Sequence, residues 1–138
     1  MAVLVAYDGS GPAQEALEHA VDQYGDREII LLRVIEVAGG ATGAGLNLAQ
    51  ETLREQRKEV TEELSEEVAD LINTEGLDLR MESVVGRPAQ EIVDFAEEHD
   101  VDHIIVGNHG REGISRVLLG SVAEKVVRRA HVPVTVVR

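Results

Sequence analysis

Residues Glu28 to Val37, Glu-Ile-Ile-Leu-Leu-Arg-Val-Ile-Glu-Val, decide how this chain folds. Ile29, Ile30, Leu31, Leu32, Val34 and Ile35 leave almost no alternation of apolar with polar residues. A strand that is apolar on both sides needs cover on both sides, which is the condition of a parallel strand between two layers of helices. Toward the N-terminus lies a second apolar run, Ala2 to Tyr7, which gives way to the turn residues Asp8-Gly9-Ser10. Ser10 stands before Gly11-Pro12. Pro is tolerated in a first helical turn because its missing N–H has no partner there, so Ser10 is the expected N-cap. Ala13, Ala16, Leu17, Ala20 and Val21 follow at helical spacing, and the helix is expected to stop near Gly25.

Downstream of the second strand, Ala38 to Gly45 is rich in Gly and Ala and reads as a loop. From Leu46 to Thr74 the apolar positions Leu53, Val60, Leu64, Val68, Leu71 and Ile72 step by three, four or seven between glutamates, which predicts a long amphipathic helix with an acidic outer face. The alternation then repeats. Leu77 to Val85 reads as a strand, Pro88 to His99 as a helix, His103 to Gly107 as a strand, Val117 to Ala130 as a helix, and Pro133 to Arg138 as a final strand. Five strands alternating with helices predict a doubly wound α/β domain, its parallel sheet in the order 3-2-1-4-5. Pro133 cannot donate to a ladder, which suits the last strand to an edge. In that order the chain reverses direction between strands one and four. Ligands of open α/β sheets lie beyond the strand C-termini at such a switch point.

The bulk properties narrow the class. A chain of 138 residues suits one domain. Its aromatic residues are Phe95, Tyr7 and Tyr24 alone, so the core must be built from Val, Leu, Ile and Ala. No apolar run is long enough to span a bilayer, and the first residues lack the basic region of a signal peptide, so a cytoplasmic location is expected and no membrane role. The absence of cysteine excludes disulfides, thiolate metal sites and cysteine nucleophiles. The net charge of -13, with 26 acidic residues facing 13 basic ones, argues against nucleic acid as a partner. Lys58 and Lys125 are the only lysines, a balance that points to a salty, halophilic cytosol where screening tolerates dense like charge.

Chemistry concentrates after the fourth strand. Gly107-Asn108-His109-Gly110 is followed, nine residues on, by Gly120-Ser121. Glycines let a phosphate approach main-chain N–H groups, and a helix start adds partial positive charge. Ser121-Val122-Ala123-Glu124 fits a capping box with Ser121 as N-cap, so Ser121 caps the helix or binds phosphate. A long connection between strand and helix would satisfy the same glycines. No catalytic set accompanies them. Ser10, Ser115 and Ser121 lack His-Asp partners, Lys125 lies inside the helix, and the Walker pattern is missing. His19, His99, His103 and His131 have no metal-ligand spacing and fit surface or core packing.

The unbroken run of G-x-x-G, nine residues, then G-S closely resembles the nucleotide-binding signature of the universal stress protein family. The likeness extends to Ala6-Tyr7-Asp8-Gly9-Ser10, to Gly86-Arg87-Pro88 and to Val132-Pro133-Val134, and so covers nearly the whole chain. It implies a flavodoxin-like or adenine-nucleotide-hydrolase-like domain of the ATP-binding subclass, with the lysine-poor composition suggesting a halophilic archaeal source. It implies that Ala6, Tyr7 and Asp8 lie beside the adenosine, with Asp8 near the ribose or a phosphate-bound Mg2+ or Mn2+. Asp8 would equally serve as a turn residue bonding its own loop. Val34 would touch the adenine. Gly107, His109, Gly110, Arg111 and Gly113 would wrap the phosphates from one side, and Gly120, Ser121 and Val122 from the other. Tyr7 stands where the family more often has a small or β-branched residue. The implied function is a stress-response sensor or switch that holds ATP or AMP with little or no hydrolysis and passes its state to a protein partner. Two other functions fit the scaffold: a slow ATPase or nucleotide-transfer enzyme, and a nucleotide-free dimeric interaction module. The resemblance also implies a homodimer formed through the last strand, Val132 to Val137, whose apolar edge would otherwise be open to pairing.

Overall fold

The structure is a computed structural model that describes residues 2–36, 46–72, 75–108 and 119–138. In chain order the elements are β1 (Ala2–Ala6), α1 (Gly11–Tyr24), β2 (Glu28–Ile35), α2 (Leu46–Leu71), β3 (Leu79–Val85), α3 (Pro88–Glu98), β4 (His103–Gly107), α4 (Ser121–Arg129) and β5 (Val134–Val137). The five strands form one sheet in the order β3-β2-β1-β4-β5. Every neighbouring pair is parallel. This is the doubly wound arrangement predicted from the apolar run of β2.

The reason that run has no polar alternation is visible in its two faces. Ile29 and Leu31 join Val3, Val5 and Ile105 in a core that α1 covers with Ala13, Ala16, Leu17 and Ala20, and α2 with Leu64 and Val68. Ile30 and Leu32 join Leu4, Ile104 and Val106 in a second core, which α3 covers with Ala89, Ile92, Phe95 and Ala96, and α4 with Ala123 and Val126. Side chains alternate across a strand, so consecutive residues serve opposite cores. Each fully buried Leu, Ile or Val contributes about 1.5–3 kcal/mol of transfer free energy, which is why the central strands hold the sheet in register.

The boundaries differ from the sequence expectation at several ends. The β2 ladder ends at Ile35. The long helix stops at Leu71, with the Ile72 N–H still donating to the Val68 carbonyl at 3.0 Å. The fourth helix begins at Ser121 and not near Val117, because the described Gly120 before it is in extended backbone. The last strand begins at Val134, although the Pro133 carbonyl accepts from the Ile104 N–H at 3.0 Å and so extends the contact with β4 without needing a proline donor. Among the described residues no helix is long and apolar enough to cross a membrane.

Candidate functional site

The sheet opens a crevice where β1 and β4 part. Their ladder pairs Val3 with His103 and ends at Val5 opposite Ile105. Beyond it each strand continues with its other neighbour. Ala6 pairs with Leu32 and the Tyr7 N–H donates to the Leu32 carbonyl at 2.9 Å, while Gly107 pairs with Val137 and the Asn108 N–H donates to the Val137 carbonyl at 2.8 Å. The carboxyl ends of β1 and β4 are thus drawn apart by their outer neighbours, at the predicted switch point. The helices that follow these two strands, α1 and α4, begin at this end of the sheet.

The start of α1 is closed upon itself. Gly9 takes φ +81°, a conformation glycine adopts without a Cβ penalty, and this turn carries the chain from β1 into the helix. Asp8 Oδ1 accepts from the Ser10 N–H at 2.9 Å, so Asp8 does bond its own turn. Ser10 Oγ accepts from the Ala13 N–H at 3.2 Å and acts as the N-cap, as expected. Pro12 contributes no N–H. The free donors of the first turn are few.

The start of α4 is different, and it corrects the capping-box expectation. Ser121 is the first helical residue, and the N-cap is Gly120, in extended backbone with φ -62° and ψ 156°. The Gly120 N–H donates to the Asn108 carbonyl at 2.7 Å, and the Glu124 N–H donates to the Gly120 carbonyl at 2.9 Å. The first bond holds Gly120 outside the helix, and the second starts the helix from it. Gly120 has no side chain with which to cap, and the Ser121 side chain is exposed. Among the described residues, no side chain caps the first-turn N–H groups as Ser10 caps those of α1, and they carry the partial positive charge of a helix start. The same Asn108–Gly120 bond ties the end of β4 to the start of α4. Asn108 itself is buried. The sequence assigned it no role, and its only sequence signal is its place between two glycines of the quoted motif.

Gly107 has a packing reason of its own. A Cβ there would stand 2.7 Å from the Pro12 carbonyl carbon and 2.8 Å from its Cβ and carbonyl oxygen. The end of β4 and the first turn of α1 approach so closely that only glycine fits, whether or not a ligand is present.

Side-chain parity sorts the remaining predicted residues. Ala6, Val34 and Val122 are partly buried and all pack against the core under α3 and α4. Tyr7 points the other way, into the core under α1 and α2, where it is 2% exposed. Tyr7 therefore offers the crevice its main chain and not its ring. Burial first, and the Glu67 carboxylate second, raise the pKa of its phenol. Its hydroxyl makes no hydrogen bond of good geometry with a described residue, although Gln14 and Glu67 stand close enough to influence it. His109, Gly110, Arg111 and Gly113 lie outside the described residues.

The histidines elsewhere serve local structure. His99 stacks on Phe95 with ring centroids 3.8 Å apart. His131 Nε2 lies 2.7 Å from the exposed Glu97 carboxylate. His103 Nε2 and Thr135 Oγ1 are 2.6 Å apart, bridging β4 and β5, and burial chiefly, with Arg27 and His19 adding to it, lowers the His103 pKa.

With this geometry in hand, comparisons with known proteins agree with one another. The family model described as "Universal stress protein family" matches residues 1–138. A universal stress protein of Methanocaldococcus jannaschii is 36% identical over 138 residues, covering 99% of this chain and 81% of its own length. Among solved structures, the universal stress protein UspA from Lactobacillus plantarum superposes with a TM-score of 0.81 at 28% identity, covering 100% of this chain and 97% of that one. A universal stress protein solved in complex with cAMP gives a TM-score of 0.68 at 25% identity, covering 100% and 97%.

Proposed function

The chain belongs to the universal stress protein family, and from that premise we propose that it is an adenine-nucleotide-binding stress-response protein of the ATP-binding subclass, acting as a sensor or switch. One observation carries the proposal most. At the crevice between β1 and β4, α4 begins with main-chain N–H groups that no described side chain caps, while the neighbouring α1 is closed by Ser10. Those donors suit the phosphates of ATP or AMP. The apolar residues Ala6 and Val34 of the sheet and Val122 of α4 pack against one core and suit the base and sugar. The complex of a family member with cAMP supports an adenine nucleotide as the ligand class.

In this proposal Gly107, His109, Gly110, Arg111 and Gly113 enclose the phosphates from the β4 side, and Gly120, Ser121 and Val122 from the α4 side. The Arg111 guanidinium offsets the charge of a chain that otherwise repels polyphosphate. Asp8 fits a phosphate-bound Mg2+ or Mn2+ as a single carboxylate, since such ions take most of their ligands from phosphate and water. The ion, when present, neutralises phosphate charge. In this proposal hydrolysis is slow or absent, and the nucleotide state is read by a protein partner.

Chromatography of nucleotide released from freshly purified, denatured protein tests the proposal. Bound ATP or AMP is expected, and Gly110→Val, which places a Cβ at the proposed phosphate contact, is expected to abolish binding while leaving the fold intact. Protein free of nucleotide, or unchanged affinity in that variant, would refute the cradle. Stoichiometric ADP with rapid turnover would make the protein an enzyme instead.

The same proposal has the residues 1–138 acting as one domain in the cytoplasm of a halophile, paired into a homodimer through Val132 to Val137. β5 is an edge strand whose four residues are all only partly buried, which leaves apolar area for a second copy. Light scattering and unfolding across a KCl series check both points. A dimer whose stability rises with salt is expected; a monomer, or stability indifferent to salt, counts against them.

A further inference from the structure

At the end of the sheet where the strands begin, two neighbouring helices stop. α3 returns the chain to β4 and α4 returns it to β5, and the two helices pack against each other. Their C-termini therefore lie together, at the far end of the sheet from the crevice. α3 is closed by the Val101 N–H, which donates to the Ala96 carbonyl at 3.0 Å, and by Asp100, which takes φ +50°, a left-handed conformation that Asp tolerates. α4 is closed at Ala130, whose N–H donates to the Val126 carbonyl at 2.9 Å and whose backbone is extended, with φ -66° and ψ 142°. The carbonyls of each last turn carry partial negative charge, about half an elementary charge per helix end.

Between these two helix ends lies a cavity of about 170 Å3. Val93, Ile104 and Val132 give it an apolar surface, and the side chains of Ala96 and Ala130 are short enough to leave it open. The connections that bound it, residues 99–102 and 130–133, are described throughout. Its rim is acidic. Glu97 and Asp100, both exposed, line it together with His131, and no lysine or arginine is among its described lining residues. His131 Nε2 stands 2.7 Å from Glu97 Oε1 and so joins the two helix ends. The arginines in the last turn of α4 are engaged elsewhere: Arg128 pairs with Glu124 at 2.9 Å, and Arg129 donates to the Gln90 side chain at 3.2 Å. Helix-end carbonyls and two carboxylates thus act with one sign at the edge of an apolar space.

We propose that this cavity binds a short aliphatic ammonium ion, with the hydrocarbon chain inside it and the ammonium group at the rim beside Asp100 and Glu97. An apolar cavity of roughly 150 Å3 holds one molecule of the size of benzene, so a chain of about four to six carbons fits. Burial of the chain supplies the affinity. The carboxylates and the two helix ends select a cation over a neutral or anionic molecule of the same shape. The site shares no residue with the crevice between β1 and β4, and its occupancy does not depend on nucleotide.

The test follows the amide resonances of the full chain during titration with three probes of similar shape, n-butylammonium, n-butanol and butyrate. Ionic strength is held constant at about pH 8.5, above the ordinary titration range of histidine. n-Butylammonium is expected to shift the Val101, Ile104 and Val132 amides and to bind about fivefold or more tightly than n-butanol, while butyrate shifts none of them. Asp100→Asn keeps the shape of the side chain and tolerates the left-handed backbone. It is expected to weaken n-butylammonium by about threefold and to leave n-butanol unchanged. Ala130→Leu, which extends a side chain into the cavity from extended backbone, is expected to abolish binding of both, with an unfolding curve to verify the fold. Equal affinity for n-butylammonium and n-butanol, shifts spread along the acidic face of α2, or unchanged binding in either variant would overturn the proposal. So would shifts of the same amides that follow protein concentration without any probe, because the cavity would then belong to a second copy.

Discussion

The helices α1 and α4 begin at the same end of the sheet, on opposite faces of it, and they solve the problem of their first N–H groups in opposite ways. At α1 the chain uses its own side chains: Ser10 caps Ala13, Asp8 holds Ser10, and Pro12 removes a donor. At α4 it uses a glycine that has nothing to cap with, held in place by a main-chain bond to Asn108. A helix start that satisfies itself is a structural joint. A start left uncapped beside a crevice is a place for an anion to complete. The contrast explains why, of the two helices that follow the parting strands, only one would form the phosphate cradle.

Three substitutions break or sharpen that contrast. The largest effect is expected from Gly107→Ala, because the new Cβ would press on the Pro12 backbone where α1 meets β4. Stability is expected to fall by about 1–3 kcal/mol, the usual cost of forcing atoms into a packed contact. Urea unfolding in the absence of nucleotide measures it; an unchanged midpoint would mean that Gly107 serves only the ligand. Next, Ser10→Ala removes the cap of α1 and should cost about 1 kcal/mol while leaving nucleotide affinity unaltered. Loss of affinity without loss of stability would reverse the roles assigned to the two helix starts. The smallest effect on stability belongs to Ser121→Ala, about 0.5 kcal/mol or less for an exposed residue that does not cap. Its nucleotide affinity should drop severalfold, the size of one lost hydrogen bond. Calorimetric titration with ATP beside the unfolding curves separates the two quantities.

These two helix starts also show how far the sequence could be read. Ser10 followed by Gly11-Pro12 was legible as a cap because proline restricts where the helix can begin. Ser121-Val122-Ala123-Glu124 offered the same kind of signal and misled. A Ser three residues before a Glu looks identical whether the Ser is the cap or the first helical residue, and the difference lies in a bond from Gly120 to Asn108, twelve residues upstream. The direction of the Tyr7 side chain was not legible in the same way. The alternation Val3, Val5, Tyr7 places it on one face of β1, but which face borders the crevice is set by how α2 covers the sheet. Gly107 was legible as a special glycine, while its contact with Pro12 was not, since the two are brought together only by the pairing of β1 with β4.

By itself the sequence determined the element order, the parallel sheet and the position of the switch point. Apolar periodicity and turn residues are local properties, and continuous apolar strands permit few layer arrangements. The tertiary structure decided which helix start is left uncapped, which face Tyr7 serves and why Gly107 must be glycine. Each of those depends on atoms distant in sequence meeting within a hydrogen bond or a van der Waals contact, and no local pattern encodes such a meeting.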